Sequence, residues 1–145
     1  MPNPNYTPMS LMEGMTPGID ADGSIPSFAP KVNYVTKIAA YTVKVHESGT
    51  HFSNSGAAGS VTFTLPAVAS SAGCVYWFHA AVAAQNLVVT APAGTLVAHN
   101  NATATSVSLQ TGGNIAGGCI HVFCDGVKWF SAVRIENIAV TITVA

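Results

Sequence analysis

The chain has 145 residues, the size of one domain. Five Lys and Arg and six Asp and Glu residues give a net charge of -1, and five scattered cations exclude the basic face of a nucleic-acid binder. Only 8% of the residues are charged and 49% are hydrophobic, whereas about 25% are charged in an ordinary soluble domain. Charge depletion marks protein interfaces, so the composition favours a surface covered in part by other subunits over one of solvated Ser, Thr, Asn, Gly and Ala.

Although the chain is rich in apolar residues, we do not expect a membrane-spanning segment. The longest apolar stretch, from Cys74 to Ala84, is interrupted by His79 and falls far short of the roughly 20 residues of a membrane span. The three cysteines do not form a disulfide framework. Cys119 and Cys124 would lie on opposite faces of one strand, so we expect buried, reduced thiols, as in a reducing cytoplasm.

Residues 1–33 differ from the rest and predict an extended N-terminal arm. They hold six of the eight prolines and show no sustained hydrophobic period, so they cannot build a sheet of their own. The alternative is a solvated tail, but such tails are poor in apolar groups. Apolar residues that recur between the prolines favour an arm that contacts neighbouring subunits, and the expected contacts are Tyr6, Met9, Leu11, Met12 and Phe28.

Residues 34–145 predict an all-β module. Tyr41, Val43 and Val45 alternate with polar residues, and so do Val61, Phe63 and Leu65, which is typical of strands with one buried face. The stretch from 32 to 40 is either a strand or a linker. Turn signals every 8–12 residues indicate an antiparallel sandwich, a jelly roll or a barrel. Strands are expected at about 41–46, 60–65, 74–82, 86–91, 95–98, 105–109, 118–124, 127–134 and 138–144.

One turn is marked clearly. Asp125-Gly126 lies between the apolar runs 120–124 and 127–133, and Asp-Gly between such runs is a strong hairpin signal because both residues tolerate positive φ. We therefore expect a hairpin whose returning strand carries Trp129 and Phe130.

Several of these segments resemble a β module found in many tailed-phage virion proteins. The matching pieces are Tyr41–Val43, Ser48–Gly49, Phe52–Leu65, Gln85–Ala91 and Asp125–Trp129. Proteins with this module include capsid decoration (cement) proteins and tail or fibre proteins. The resemblance spans roughly residues 40–134, and its motifs contain packing and turn residues without a reactive group. It implies a virion structural component, and for a decoration protein a homotrimer.

The five histidines do not match a metal motif. HExxH, CxxC and His-x-His spacings are absent. His46 and His51 are expected at a strand end and in the following loop, and His79 and His121 within apolar strands, as satisfied or half-buried imidazoles. One exception stays open, in which one histidine from each subunit of a trimer meets the others on the axis and binds an ion.

The sequence predicts no catalytic site and no cofactor. Ser48 follows His46 and Glu47, but neighbours in sequence do not make a triad, and GxSxG is absent. The glycine pairs at 112–113 and 117–118 lack the Lys-Ser or Lys-Thr of a P-loop.

The function expected is therefore a non-enzymatic phage capsid decoration protein that binds the shell exterior and stabilises it by bridging capsid subunits. Its partners would be the major capsid protein and itself, and its place the virion surface after assembly in the host cytoplasm. The alternative is a tail, fibre or spike component involved in host attachment. A free carbohydrate-binding module would need a row of exposed aromatics, whereas Tyr76, Trp77, Trp129 and Phe130 lie in apolar runs typical of a core.

Overall fold

The computed structural model describes residues 32–110, 115–134 and 141–145. These ranges form strands and two short 3₁₀ turns, at Val45–Glu47 and Val68–Ser70. The strands are β1 (Asn33–Thr36), β2 (Tyr41–Thr42), β3 (Thr50–Ser53), β4 (Val61–Thr64), β5 (Val75–His79), β6 (Leu87–Thr90), β7 (Leu96–Ala98), β8 (Asn101–Ala104), β9 (Ser106–Gln110), β10 (Cys119–Cys124), β11 (Trp129–Arg134) and β12 (Thr141–Val144).

The strands form two sheets packed face to face, so the expected all-β sandwich is confirmed. One sheet has seven strands in the order β1-β3-β5-β10-β11-β7-β8, and the other has five in the order β12-β9-β6-β4-β2. Both sheets are mixed rather than purely antiparallel, since five of the ten pairings between described strands are parallel.

Four of the five parallel pairs arise because the chain changes sheet after every strand from β1 to β6. In the first half, β1, β3 and β5 lie side by side in one sheet, while β2, β4 and β6 lie side by side in the other. Each return to a sheet therefore runs in the same direction as the previous visit, and the strand of the opposite sheet provides the crossover that parallel neighbours need. Residues 33–90 thus wind as a flattened coil, although the sequence shows no internal repeat.

The core is a cluster of aromatic and branched side chains between the two sheets. Phe63 of the five-stranded sheet packs between Phe52 and Phe78 of the seven-stranded sheet, with ring centroids 5.6 and 4.9 Å away. Two of the largest buried side chains satisfy their polar atoms through the backbone, and the Tyr76 hydroxyl donates to the Lys44 carbonyl at 3.0 Å. The Trp129 indole N–H donates to the Pro66 carbonyl at 3.2 Å.

The strands β3 and β8 were not predicted, and β1 lies in the stretch 32–40, for which the sequence allows either a strand or a linker. Some predicted strands are too long, and the one expected at 74–82 ends at His79. β1, β3 and β8 contain mostly polar residues, so hydrophobic alternation does not reveal them. His51, expected in a loop, lies in the middle of β3. The strand expected at 41–46 ends at Thr42, because the chain turns into the 3₁₀ turn at Val45. β1 begins at Asn33, the last residue assigned to the arm.

The hairpin between β10 and β11 is confirmed, with a four-residue connection from Asp125 to Lys128. Only Gly126 has a positive φ, of 96°. Asp125 acts through its side chain, whose Oδ1 accepts hydrogen bonds from the backbone N–H groups of Val127 and Lys128, both at 2.7 Å. The two hydrogen bonds hold the pKa of Asp125 below its ordinary value, and the bond from the Lys128 N–H has the larger effect.

We expect Gly126→Val to destabilise the module by about 1–3 kcal/mol, because a branched side chain is strained at positive φ. A Cβ at this position would also lie 3.2 Å from Ala72 Cβ. Denaturant unfolding measures the effect. Gly59→Val is the matched control, since a Cβ at Gly59 meets no atom within 4 Å and the backbone there lacks a positive φ. Equal unfolding midpoints for the two variants would contradict this account of the turn.

Candidate functional site: the outer face of the seven-stranded sheet

Three of the five histidines come together on the outer face of the seven-stranded sheet. Side chains alternate between the two faces of a strand, and in β3, β5 and β10 the inward residues are buried while His51, Trp77 and His121 are half-buried on the other face. The register places these three residues directly opposite one another across neighbouring strands. His79, two residues after Trp77 on β5, is the third histidine of this face. We call His51, Trp77, His79 and His121 the histidine row.

Trp77 is held between two imidazoles. Its ring lies 4.5 Å from that of His51 with planes 8° apart, and 4.9 Å from that of His121 with planes 22° apart. These distances match the spacing of about 4.7–4.9 Å between adjacent strands, so in-register side chains stack without rearrangement. Both faces of the indole are therefore covered, and the row presents ring edges outward.

This arrangement corrects one sequence-based interpretation. Tyr76 and Trp129 are fully buried, as expected of core residues. Trp77 and Phe130 instead lie half-buried on the outer face. The outer face therefore does hold a row of aromatic residues, but the indole offers no open ring face of the kind on which a sugar stacks.

His51 and His79 are joined by a hydrogen bond. His51 Nδ1 lies 2.8 Å from His79 Nε2, while the ring centroids are 5.0 Å apart and the planes differ by 10°. Because the nitrogens are much closer than the ring centres, the rings meet edge to edge in nearly one plane rather than face to face. One of the two nitrogens carries the proton and the other accepts it.

His121 has a buried nitrogen without a partner. Its Nε2 makes no hydrogen bond within the described residues. Burial is the main cause that lowers the pKa of His121, and the charge of the nearby His51 lowers it further. The same two causes lower the pKa of His79. None of the strands β1, β3, β5, β10 and β11 contains an Asp or Glu that would offset a charge on these imidazoles.

A cavity of about 430 Å³ adjoins the row. Its size is that of small-molecule sites, which span about 300–1,000 Å³. Arg134 is the one cationic side chain in its wall, and the thiol of Cys119 has a pKa raised by burial. The cavity is lined by Trp77, His79, Gly117, Cys119, His121, Ala132, Val133 and Arg134.

A second aromatic pair extends the outer face beyond the row. Phe123 of β10 lies opposite Phe130 of β11, with ring centroids 5.1 Å apart and planes 13° apart. Phe123 is 47% exposed, which is unusual for a large apolar side chain in the middle of a sheet. The histidine row and the Phe123–Phe130 pair together form an aromatic face. In the strands β1, β3, β5, β10 and β11, Arg134 is the one charged side chain.

The remaining sequence-based candidates are distributed elsewhere. His46 is exposed in the first 3₁₀ turn, and His99 lies in the β7–β8 turn with a φ of 40°. Glu47 accepts hydrogen bonds from the Tyr41 hydroxyl at 2.7 Å and the Lys44 N–H at 2.8 Å. Ser48 Oγ accepts one from the Val75 N–H at 3.1 Å.

The described ranges contain no group of three or more His, Cys, Asp or Glu side chains arranged to hold a metal ion. A site shared between subunits on a trimer axis stays a hypothesis. All three cysteines are free: Cys74 and Cys124 are buried, and Cys119 is half-buried on the outer face of β10. The arm residues Tyr6, Met9, Leu11, Met12 and Phe28 lie outside the described residues.

Comparisons with known proteins assign the chain to no family: no protein-family model matches it, and neither does any curated protein. Among the described residues, none of the helices has the length and apolar character needed to cross a membrane.

We expect His121→Phe to stabilise the protein by up to about 1 kcal/mol at pH 8, since an unpaired buried polar atom costs about 1–3 kcal/mol and an apolar ring of similar shape removes that cost. The new ring would keep the stacking on Trp77. Denaturant unfolding measures the change. His46→Phe serves as the control, because His46 is exposed and the same substitution there should leave stability unchanged. A loss of stability in His121→Phe would show that the nitrogen is paired in solution.

Proposed function

We propose that this protein is a non-enzymatic structural component of a tailed-phage virion, and specifically a capsid decoration protein. It binds the exterior of the shell as a homotrimer and stabilises the shell by bridging subunits of the major capsid protein. It assembles in the host cytoplasm and acts on the capsid surface. The observation that carries the proposal is the outer face of the seven-stranded sheet, with its exposed ring edges and few charges.

The chemistry of this face suits contact with another protein. Interface centres are depleted in charged residues and enriched in aromatic ones. Among the side chains of the face, Trp77 and Phe123 offer rigid apolar area at a low entropic cost on binding. The histidine nitrogens supply hydrogen-bonding groups without a net charge while the imidazoles are neutral.

The resemblance to phage β modules supports the same conclusion through the fold. Its matching residues occupy packing and turn positions: Phe63, Leu87 and Val89 are buried between the sheets. Gly56 and Gly126 have positive φ in turns. Residues at packing and turn positions carry no reactive group, so the resemblance implies a virion structural component more than any one role within the virion.

Binding by such a surface needs no high affinity at each site. A shell repeats its subunits many times, so weak contacts made by each copy of a homotrimer add through effective concentration. Ser48, the candidate nucleophile, and its neighbour Glu47 are engaged in hydrogen bonds that fix the turn between β2 and β3. This engagement supports a structural rather than a catalytic role.

A tail, fibre or spike component involved in host attachment is the second candidate, and the cavity beside Trp77 is the observation that favours it. The wall combines an indole edge, imidazoles and Arg134, a set that can hydrogen-bond a small polar ligand such as part of a host glycan. The covered faces of Trp77 weigh against stacking of a sugar ring.

We expect Phe123→Lys to weaken binding to shells assembled without this protein by at least about tenfold, because a charge in an apolar contact must be desolvated. Co-sedimentation with such shells measures the binding. Val127→Lys is the matched control, since Val127 is 68% exposed in the neighbouring turn and does not belong to the sheet face. Equal binding by both variants would exclude this face as the shell contact. Failure of the unmodified protein to bind shells, combined with binding to host-cell glycans, would favour the second candidate.

We expect deletion of residues 2–30 to leave thermal melting nearly unchanged but to weaken shell binding. The described strands begin at Asn33, and the deleted segment carries the apolar residues proposed to contact neighbouring subunits. Proline lowers the entropy that an extended segment loses when it docks. The full-length and truncated proteins are compared by thermal melting and by co-sedimentation. Unfolding on truncation would place the arm in the module's core, and undiminished binding would make the arm a passive tail.

A further inference from the structure

The histidine row concentrates ionisable groups where little can neutralise a charge. Three imidazoles lie around one indole on three adjacent strands, β3, β5 and β10. We propose that His51, His79 and His121 form a proton-sensitive switch: the row holds its neutral-pH arrangement only while these imidazoles carry few protons, and acid loosens the seven-stranded sheet from its outer face. The inference concerns the isolated chain and does not depend on what the protein binds.

The bond between His51 and His79 sets the first condition. Nδ1 of one ring and Nε2 of the other are 2.8 Å apart, which leaves room for one proton between them. The bond survives when both rings are neutral, and also when one is an imidazolium that donates to the other. When both rings are fully protonated, two N–H groups and two positive charges face each other, and the contact must open.

His121 sets the second condition. Its buried Nε2 has no acceptor in the described part of the chain, so a proton on that nitrogen would create a buried donor with nothing to bind and a charge removed from water. Stacking on the Trp77 face gives an imidazolium some attraction. That attraction is smaller than the cost of burying a charge without a partner.

The other groups that face the row do not relieve this charge. Across the described strands that pack beside the row, Arg134 is the one charged side chain, and its sign is positive. The Cys119 thiol also faces the row, and burial raises its pKa, so it brings no negative charge. The Tyr34 hydroxyl lies opposite His51 on β1. Uncharged neighbours complete the outer face: Thr36 on β1, Ser53 on β3, Val75 on β5, Phe123 on β10, and Phe130 and Ala132 on β11.

The sign of the pH dependence follows from the lowered pKa values. Burial lowers the pKa of His79 and of His121 below the ordinary value of about 6.5 that each has in the unfolded chain. At pH values near and below about 6.5, the unfolded chain binds more protons than the folded one, so folding stability rises with pH. The contribution of the two groups is complete above about pH 6.5 and is lost as the pH falls through their folded-state values.

The test compares denaturant unfolding at pH 7.5 and pH 5.0 for the unmodified protein, His79→Gln, His121→Gln and His46→Gln. For each histidine, the folding equilibrium constant of the unmodified protein should fall on the order of tenfold per pKa unit of depression. His46 is exposed in a turn, so His46→Gln should keep the full acid sensitivity. His79→Gln and His121→Gln should each reduce it. Equal pH dependence in all four proteins would overturn the proposal.

A second measurement covers the case in which a variant fails to fold. Proton NMR of the unmodified protein follows each imidazole, and the Trp77 indole N–H, through the same pH range. The proposal requires His79 and His121 to titrate below the ordinary histidine value of about 6.5, and the Trp77 signal to shift with them. Ordinary midpoints for both rings, or an indole signal that does not follow them, would refute it.

Discussion

The distance between adjacent strands is the constraint on which the rest of this structure depends. Strands lie about 4.7–4.9 Å apart, close to the separation at which planar rings stack. Because β3, β5 and β10 pair in register, a ring on one strand can stack on a ring that lies directly opposite on the next strand. The outer face shows this in the order His51, Trp77, His121, and the inner face shows it where Phe52 stacks on Phe78 at 5.6 Å. One register therefore builds both the core and the candidate site.

The two faces are coupled through β3. Phe52 lies in the core between Phe63 and Phe78, and its neighbour His51 bonds to His79 on the outside. A shift of β3 along β5 by one residue would exchange these faces, burying an imidazole and exposing a phenyl ring. The aromatic core therefore holds the histidine row in place, while the edge-to-edge imidazole bond ties β3 to β5 in the same register. Neither set needs a charge to achieve this.

Sequence patterns predicted an all-β fold, with a sandwich as one of three architectures, but not the site, and the reasons lie in particular strands. β4 and β10 alternate cleanly, and Asp125-Gly126 marked the one hairpin that could be placed. β3 escaped because Thr50 and Ser53 are each only 1% exposed yet polar, so burial left no hydrophobic signal. The meeting of His51, Trp77 and His121 follows from pairings between distant segments, including a parallel one made by winding through the other sheet. Nothing local in the sequence specifies such pairings.

A surface that contains imidazoles can be uncharged at neutral pH and positively charged in acid. A face that another protein covers should hold few charges, since each buried charge needs a partner. Neutral histidines meet that demand while keeping the hydrogen bonds that fix the rings. The same face acquires positive charge in acid, beside an Arg134 that is already positive. If the outer face is the shell contact, acidification weakens that contact and the sheet behind it together, because the groups that bind are the groups that hold β3 on β5. Replacing the histidines of the row with phenylalanine would remove the dependence of both the contact and the sheet on pH. It would leave an apolar face that binds equally well at every pH.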